Sequence, residues 1–181
     1  MKLALPISPI IIYREIPLKK TLIIGYGNPD RQDDGAAWHT LYRLAQHLNR
    51  LLPDGPEEGF LPEGDNPDLW FALQLVPEMA DTFAQYQRIL FIDAHTGHVP
   101  QKILMQPVED AAAPSSLTHV LSPAACMALT GSIYSHHPMA LLLTLRGYSF
   151  QFTRELTPQT SQLVDQAVGM IIEWLGEEDH A

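Results

Sequence analysis

The spacing of hydrophobic positions changes several times along the chain. Thr21 to Gly25 is an unbroken, β-branched run, as expected of a strand buried on both faces. From Trp38 the apolar positions Leu41, Tyr42, Leu44, Ala45, Leu48 and Leu52 recur every three or four residues, which predicts a helix. Leu69 to Leu75 predicts a second strand. Glu78 to Tyr86 predicts a helix, with Pro77 at its start. Arg88 to Asp93 predicts a third buried strand, and Lys102 to Met105 a short one. Ser122 followed by Pro123 has the form of an N-cap with proline at the first helical position, opening a helix to Tyr134. Ala140 to Arg146 is another apolar strand. Thr157 and Pro158 repeat the helix-start signal for a last helix ending at Gly176.

Strands separated by helices imply βαβ units. The expected fold is α/β: a three-layer single domain with a mostly parallel, twisted sheet and helices on both faces. Residues 20–176 would form this domain. Residues 1–19, interrupted by Pro6 and Pro9, read as an N-terminal extension. Residues 53–67 hold four prolines and three glycines and read as a loop insertion, expected to be the least ordered part. Ala111 to Ser116 reads as a small-residue loop. Residues 177–181 read as a frayed acidic tail. In such folds ligands sit beyond the C-terminal ends of the strands.

Charge and cysteine content narrow the function classes. The 181 residues include 11 basic and 21 acidic ones, a net charge of −10. Such a protein repels a phosphate backbone, so no nucleic-acid partner is expected. The single cysteine, Cys126, excludes a disulfide framework and a cysteine-type zinc site within one chain. It fits a reducing cytoplasm, the expected location. No apolar run reaches the ~18–20 residues of a membrane span, and the N-terminal arm lacks a signal-peptide cleavage site, so no membrane partner is expected.

The chemistry lies where the strands end. Residues 25–35 read Gly-Tyr-Gly-Asn-Pro-Asp-Arg-Gln-Asp-Asp-Gly. Glycines allow a tight turn after the strand. A dinucleotide loop would need a third glycine where Asp30 stands, and Asp33 and Asp34 at the helix start would repel phosphate. Two adjacent acids there favour a cation, although acids at a helix start also suit its dipole. Asp93 leaves a buried strand, which is costly unless it is paired, solvated or metal-bound. His119 lies just ahead of the helix opened at Ser122. Two aspartates and a histidine from three loops over one sheet edge would make an O,O,N site for zinc, nickel or a similar divalent ion, with a position left open.

These residues resemble the hydrogenase maturation proteases, the endopeptidases that trim the C-terminus of a [NiFe]-hydrogenase large subunit. The resemblance covers residues 20–175. It rests on the 25–35 motif followed in order by Gln74 to Glu78, Ile89 to Ala94, and Thr118-His119 before a helix, with Ala140 to Leu145 and Leu156 to Pro158 also matching. It implies that Asp34, Asp93 and His119 form a metal-binding trio. The metal would be nickel supplied by the substrate, a large-subunit precursor, though zinc or cadmium could occupy the same site. It also implies a twisted sheet flanked by helices. Asp33 or Asp34 would serve as general base. Asn28, Arg31, Gly35, Glu78 and His95 would contact substrate or support the trio, with Glu78 alternatively a helix N-terminal cap.

The chain departs from the family pattern at Ala36 and Ala37, where a second glycine is usual. Ala37 does not take positive φ cheaply, so the helix is expected to begin sooner. Trp38 would fill core or wall the cleft. His95 and His98 are either site neighbours or exposed loop, and His136 and His137 close a helix C-terminus. Cys126, in an apolar helix pattern, reads as core. No Gly-x-Ser-x-Gly elbow and no His-Glu-x-x-His helix is present. Two other readings stand beside the protease: a nickel-dependent chaperone or checkpoint that binds the precursor without cutting it, and a nucleotide-binding module built on Gly25 and Gly27.

Overall fold

The computed structural model describes residues 20–108 and 121–177. The expectations for residues 1–19, for Ala111 to Ser116, for His119 and for tail residues 178–181 fall outside the described residues. The described residues form a single α/β domain with five strands: β1 (Thr21–Tyr26), β2 (Asp68–Ala72), β3 (Arg88–His95), β4 (Ile103–Pro107) and β5 (Met139–Arg146). Their order is β2-β1-β3-β5-β4. All neighbours are parallel except β4, which runs antiparallel to β5 at one edge. Among the described residues four α-helices cover the sheet: α1 (Ala36–His47), the single turn α2 (Ala80–Phe83), α3 (Pro123–Tyr134) and α4 (Pro158–Gly176).

Alternation along the strands divides the core in two. Ile23, Leu90, Ile92, Leu143 and Leu145 face α1 and α4. Leu22, Ile24, Ile89 and Phe91 face Met79, Phe83 and the α3 residues Ala125, Cys126 and Met127. Each central strand therefore buries both faces, which is why its sequence is apolar without a break. Trp38 packs against Tyr42, Phe60 and Phe71 and belongs to the core. Cys126 is buried too, and burial pushes its thiol up to about 12, so it is inert as a nucleophile.

The helix starts follow their sequence signals. Ser122 Oγ accepts from the Ala125 amide at 3.2 Å and Thr157 Oγ1 from the Thr160 amide at 3.3 Å. A 3₁₀ turn, Gln32–Gly35, runs directly into α1 at Ala36, the early start expected from Ala36-Ala37. Helix α1 ends at His47 and not at Leu52, because Asn49 adopts φ +54° and the Arg50 amide bonds back to the Ala45 carbonyl. Strand β2 stops at Ala72, short of Leu75: its partner β1 ends opposite it at Tyr26 and turns away at Gly27. The expected helix from Glu78 to Tyr86 is a 3₁₀ turn (Pro77–Met79) followed by α2, and closes with i→i−3 bonds from Gln85 and Tyr86. Among the described residues no helix is long and apolar enough to cross a membrane.

Residues 53–67 are anchored. Phe60 inserts against Trp38, and its carbonyl accepts from the Phe71 amide at 2.9 Å. Buried Asp68 gathers the far end: Oδ1 accepts from the amides of Glu63, Gly64 and Asp65, and Oδ2 from the Tyr86 hydroxyl. Replacing Asp68 with Ala removes four hydrogen bonds and leaves the buried Tyr86 hydroxyl unpaired. The expected loss is about 2–4 kcal/mol in urea unfolding, with hydrogen exchange of the 63–65 amides accelerated more than that of β3.

Candidate functional site

The C-terminal edge of the sheet collects the loops after β1 and β3. The first loop is tightly wound. Gly27 has φ +140°, and a Cβ there would sit 2.3 Å from the Asp34 carbonyl oxygen; a Cβ on Gly35 would sit 2.8 Å from Pro29 Cα. Glycine is required at both positions for the loop to fold back on itself. Asn28 holds the loop twice: its side chain accepts from the Asp30 amide at 3.0 Å, and its own amide donates to Asp34 Oδ2 at 3.1 Å. Arg31 is exposed, and its amide donates to the Asn28 carbonyl.

The two adjacent aspartates have opposite roles. Asp33 has no exposed surface. Its Oδ2 accepts from the amides of Tyr148 (2.8 Å) and Ser149 (3.1 Å) and from the Thr157 hydroxyl (2.8 Å), and its Oδ1 accepts from the Thr157 amide (2.8 Å). Burial alone would raise its pKa, but these donors outweigh burial and hold it below the ordinary 3.8. A general base needs a lone pair facing the reactant, and those of Asp33 are committed to the fold. Of the two acids expected as base, Asp33 is the one whose oxygens are taken up by the fold. Asp34 is part-exposed, and among the described residues its side chain takes one hydrogen bond, from the Asn28 amide.

Asp93 lies beyond the last β1–β3 pair, Gly25 with Ile92, where β3 continues beside β5 to His95 opposite Arg146. Strand β3 therefore does not end at its acid. The Tyr26 hydroxyl donates to Asp93 Oδ2 at 2.9 Å. Burial pushes Asp93 up to about 6 and the Asp34 carboxylate adds to this, while the Tyr26 hydroxyl, the Ala94 amide and His98 oppose it. The first loop and the end of β3 are thus brought within electrostatic reach. Burial and the Asp93 charge drive the Tyr26 phenol far above its ordinary value, so it serves as a donor.

The remaining expected residues divide. His95 is buried, with Nδ1 accepting from the Gly97 amide at 3.1 Å, and burial lowers its pKa. It underlies the edge and presents no surface to a substrate. Exposed His98 stacks edge-on against it, ring centres 5.5 Å apart, and its charge reaches Asp93. Glu78 is exposed in the first turn of the 3₁₀ segment, as acids at helix starts are. His136 bonds the Tyr86 carbonyl at 2.7 Å and serves the fold. His119 lies outside the described residues, so the trio as a whole is not on view. Among the described residues no group of three or more His, Cys, Asp and Glu side chains could hold a metal ion. The chain returns at Leu121, whose amide bonds the Leu75 carbonyl just past the C-terminal end of β2. Tyr26 was not anticipated: in sequence it is a tyrosine between two glycines, with no partner in its own loop to mark it.

A groove of about 390 Å³ adjoins the first loop, lined by Pro29, Asp30, Phe60, Leu61, Leu73 and Arg154 among others. Arg154 spans it, bonded to Asp30 and Glu57, and so ties the first loop to the 53–67 insertion. A larger cavity of about 510 Å³ lies by Arg50 and Asp68, near the opposite end of β2 and away from the paired acids.

Known structures share this architecture. The chain superposes on the [NiFe]-hydrogenase maturation protease HycI of Thermococcus kodakarensis KOD1 (TM-score 0.60, 15% identity, 87% of this chain and 93% of that one). It superposes similarly on the hydrogenase maturating endopeptidase HybD of E. coli (TM-score 0.63, 17% identity, 88% and 93%). The hydrogenase 2 maturation peptidase of a Thaumarchaeota archaeon gives a TM-score of 0.53 at 19% identity, over 87% and 99%. No family model and no curated protein sequence matches the chain. The chain has the fold of the hydrogenase maturation proteases, in agreement with the architecture that the resemblance implies.

The folded pKa of Asp33 lies below the unfolded 3.8, so its contribution is present above about pH 4 and is lost as pH falls through the folded value. Asp33→Asn, which sets an amide among amide donors, is expected to lower stability at pH 7 by about 2–4 kcal/mol, with a smaller deficit at low pH. Asp93 has the opposite sign: raised from 3.8 to about 6, it lowers stability as pH rises through that window. Asp93→Asn is expected to stabilise the protein by about 1–3 kcal/mol above pH 6 and by little near pH 4, read from thermal unfolding across pH.

Proposed function

We propose that the protein is a hydrogenase maturation protease: an endopeptidase that removes the C-terminal peptide of a nickel-loaded [NiFe]-hydrogenase large-subunit precursor. The observation that carries this reading is the juxtaposition of Asp34 and Asp93. Asp34 comes from the 3₁₀ turn after β1 and Asp93 from the C-terminal part of β3, at the edge where ligands bind in folds of this kind, near enough for the Asp34 charge to raise the Asp93 pKa. Asp34, Asp93 and His119 recognise the nickel that the precursor carries. Leu121, two positions after His119 in sequence, is anchored just past β2 at the same edge as the two acids. The metal is substrate cargo, so the enzyme needs no resident cofactor, and a cytoplasmic location fits its one reduced, buried cysteine.

In this reading, coordination of the nickel by the trio fixes the scissile bond against the enzyme. Positioning of this kind supplies ~7–11 kcal/mol of a barrier. Asp34, with its part-exposed carboxylate, takes the proton from the attacking water and returns it to the leaving amine. Asp33 holds Asp34's loop in place, and Asn28, through its amide, holds Asp34 itself.

The test is mass spectrometry of a purified large-subunit precursor incubated with this protein, with and without nickel loading. The expected result is loss of a C-terminal peptide from the loaded precursor alone, reduced at least ~100-fold by Asp34→Asn. Intact precursor that still binds the protein in a nickel-dependent manner would overturn cleavage and identify a non-cutting checkpoint.

A further inference from the structure

We propose that Tyr26 is the positioning residue for Asp93: its hydroxyl occupies one carboxylate oxygen so that Asp93 meets the metal through the other oxygen alone. The inference rests on the nickel-recognition reading above and adds to it the denticity of one ligand and the residue that sets it.

Tyr26 is the last residue of β1, and its side chain falls on the same face as Leu22 and Ile24, packed against the α2–α3 side of the core. The ring is therefore fixed by packing and not by its hydrogen bond. Asp93 alternates with Ile89 and Phe91 of β3 and so lies on that same face, one residue past the point where β1 and β3 stop pairing. A phenol is long enough to bridge the opening between the two strands there, and it does so at 2.9 Å, donating to Oδ2.

The consequence concerns the carboxylate plane. The second side-chain torsion of aspartate is broad, so an unrestrained carboxylate rotates easily and can grip a cation with one oxygen or two. A donor fixed on Oδ2 removes both freedoms: rotation breaks the hydrogen bond, and chelation through Oδ2 competes with it. Partners of this kind orient metal ligands, and their loss costs affinity even though they never touch the ion.

Tyr26→Phe tests this, because it keeps the ring and its packing and removes only the hydroxyl. The probe is Co²⁺ alone, titrated into the full-length protein and read by its d–d absorption, which reports coordination number as well as affinity. Circular dichroism confirms the fold, and loss of the signal in Asp34→Asn and Asp93→Asn locates the ion. The expected result is affinity ~10–100-fold weaker in Tyr26→Phe, with the weaker band of a site that has gained an oxygen. An unchanged spectrum and affinity, with only thermal stability altered, would show that Tyr26 merely satisfies a buried carboxylate and would overturn the inference. A wild-type protein that binds no Co²⁺ would overturn the metal-recognition reading itself, and this inference with it.

Discussion

Asp33, with no surface of its own, accepts hydrogen bonds from the amides of Tyr148, Ser149 and Thr157 and from the Thr157 hydroxyl. In doing so it fastens the loop after β1 to the segment between β5 and α4, more than a hundred residues later in the chain. The Gln32 amide bonds the Thr153 carbonyl and the Asp33 amide the Ser149 carbonyl, so the two segments are laced along their backbones as well. Gln32 takes φ +51° to permit this, a strained conformation that persists only because its surroundings over-determine it. Everything at the sheet edge depends on this clasp. It fixes where Asp34 stands, how closely Gly35 approaches Pro29, and how α1 leaves the loop.

Beside that stable carboxylate the fold keeps a costly one. Asp93 is poorly solvated and feels the Asp34 charge, and its hydrogen bond from Tyr26 offsets only part of the cost. Two neighbouring residues, Asp33 and Asp34, thus differ in surroundings: one is buried among donors, the other part-exposed beside Asp93. One carboxylate is stabilised by donors and contributes to the fold. The other, with Asp93, makes a like-charged pair that the fold alone does not compensate. Groups that reduce stability without serving packing are characteristic of functional positions.

The architecture was legible because each of its signals is local. Ser122 and Thr157 announce helix starts through their own side chains, and Ala36-Ala37 announces an early α1 through the absence of a glycine. Trp38 and Cys126 fall in the core because helical spacing puts them there. What could not be read depends on partners elsewhere in the chain. Leu73 and Leu75 extend the hydrophobic pattern of β2 across Gln74, yet β2 ends at Ala72 because β1 turns away; Leu73 is left 68% exposed while Leu75 turns into the core. His95 is buried because β5 runs on beside β3 to Arg146. Asp33 and Asp34 are indistinguishable by type and spacing, and only the Tyr148–Thr157 segment tells them apart. Tyr26 shows how a non-local contact hides a residue: a tyrosine between two glycines is unremarkable until β3 is placed beside it.

The energetics of the acid pair also bear on selectivity under the proposed function. A carboxylate whose pKa is pushed to about 6 is partly protonated near neutrality, and a cation must displace that proton to bind. A divalent ion supplies the positive charge that the Asp34–Asp93 pair lacks. A precursor without its metal offers no such charge, so it docks against two mutually repelling carboxylates. Discrimination between loaded and unloaded precursor then follows from electrostatics at the edge of the sheet, since the same repulsion that weakens one complex is removed in the other. The clasp at Asp33 makes this discrimination sharp: a loop free to move would let Asp34 retreat from Asp93 and relieve the repulsion without any metal.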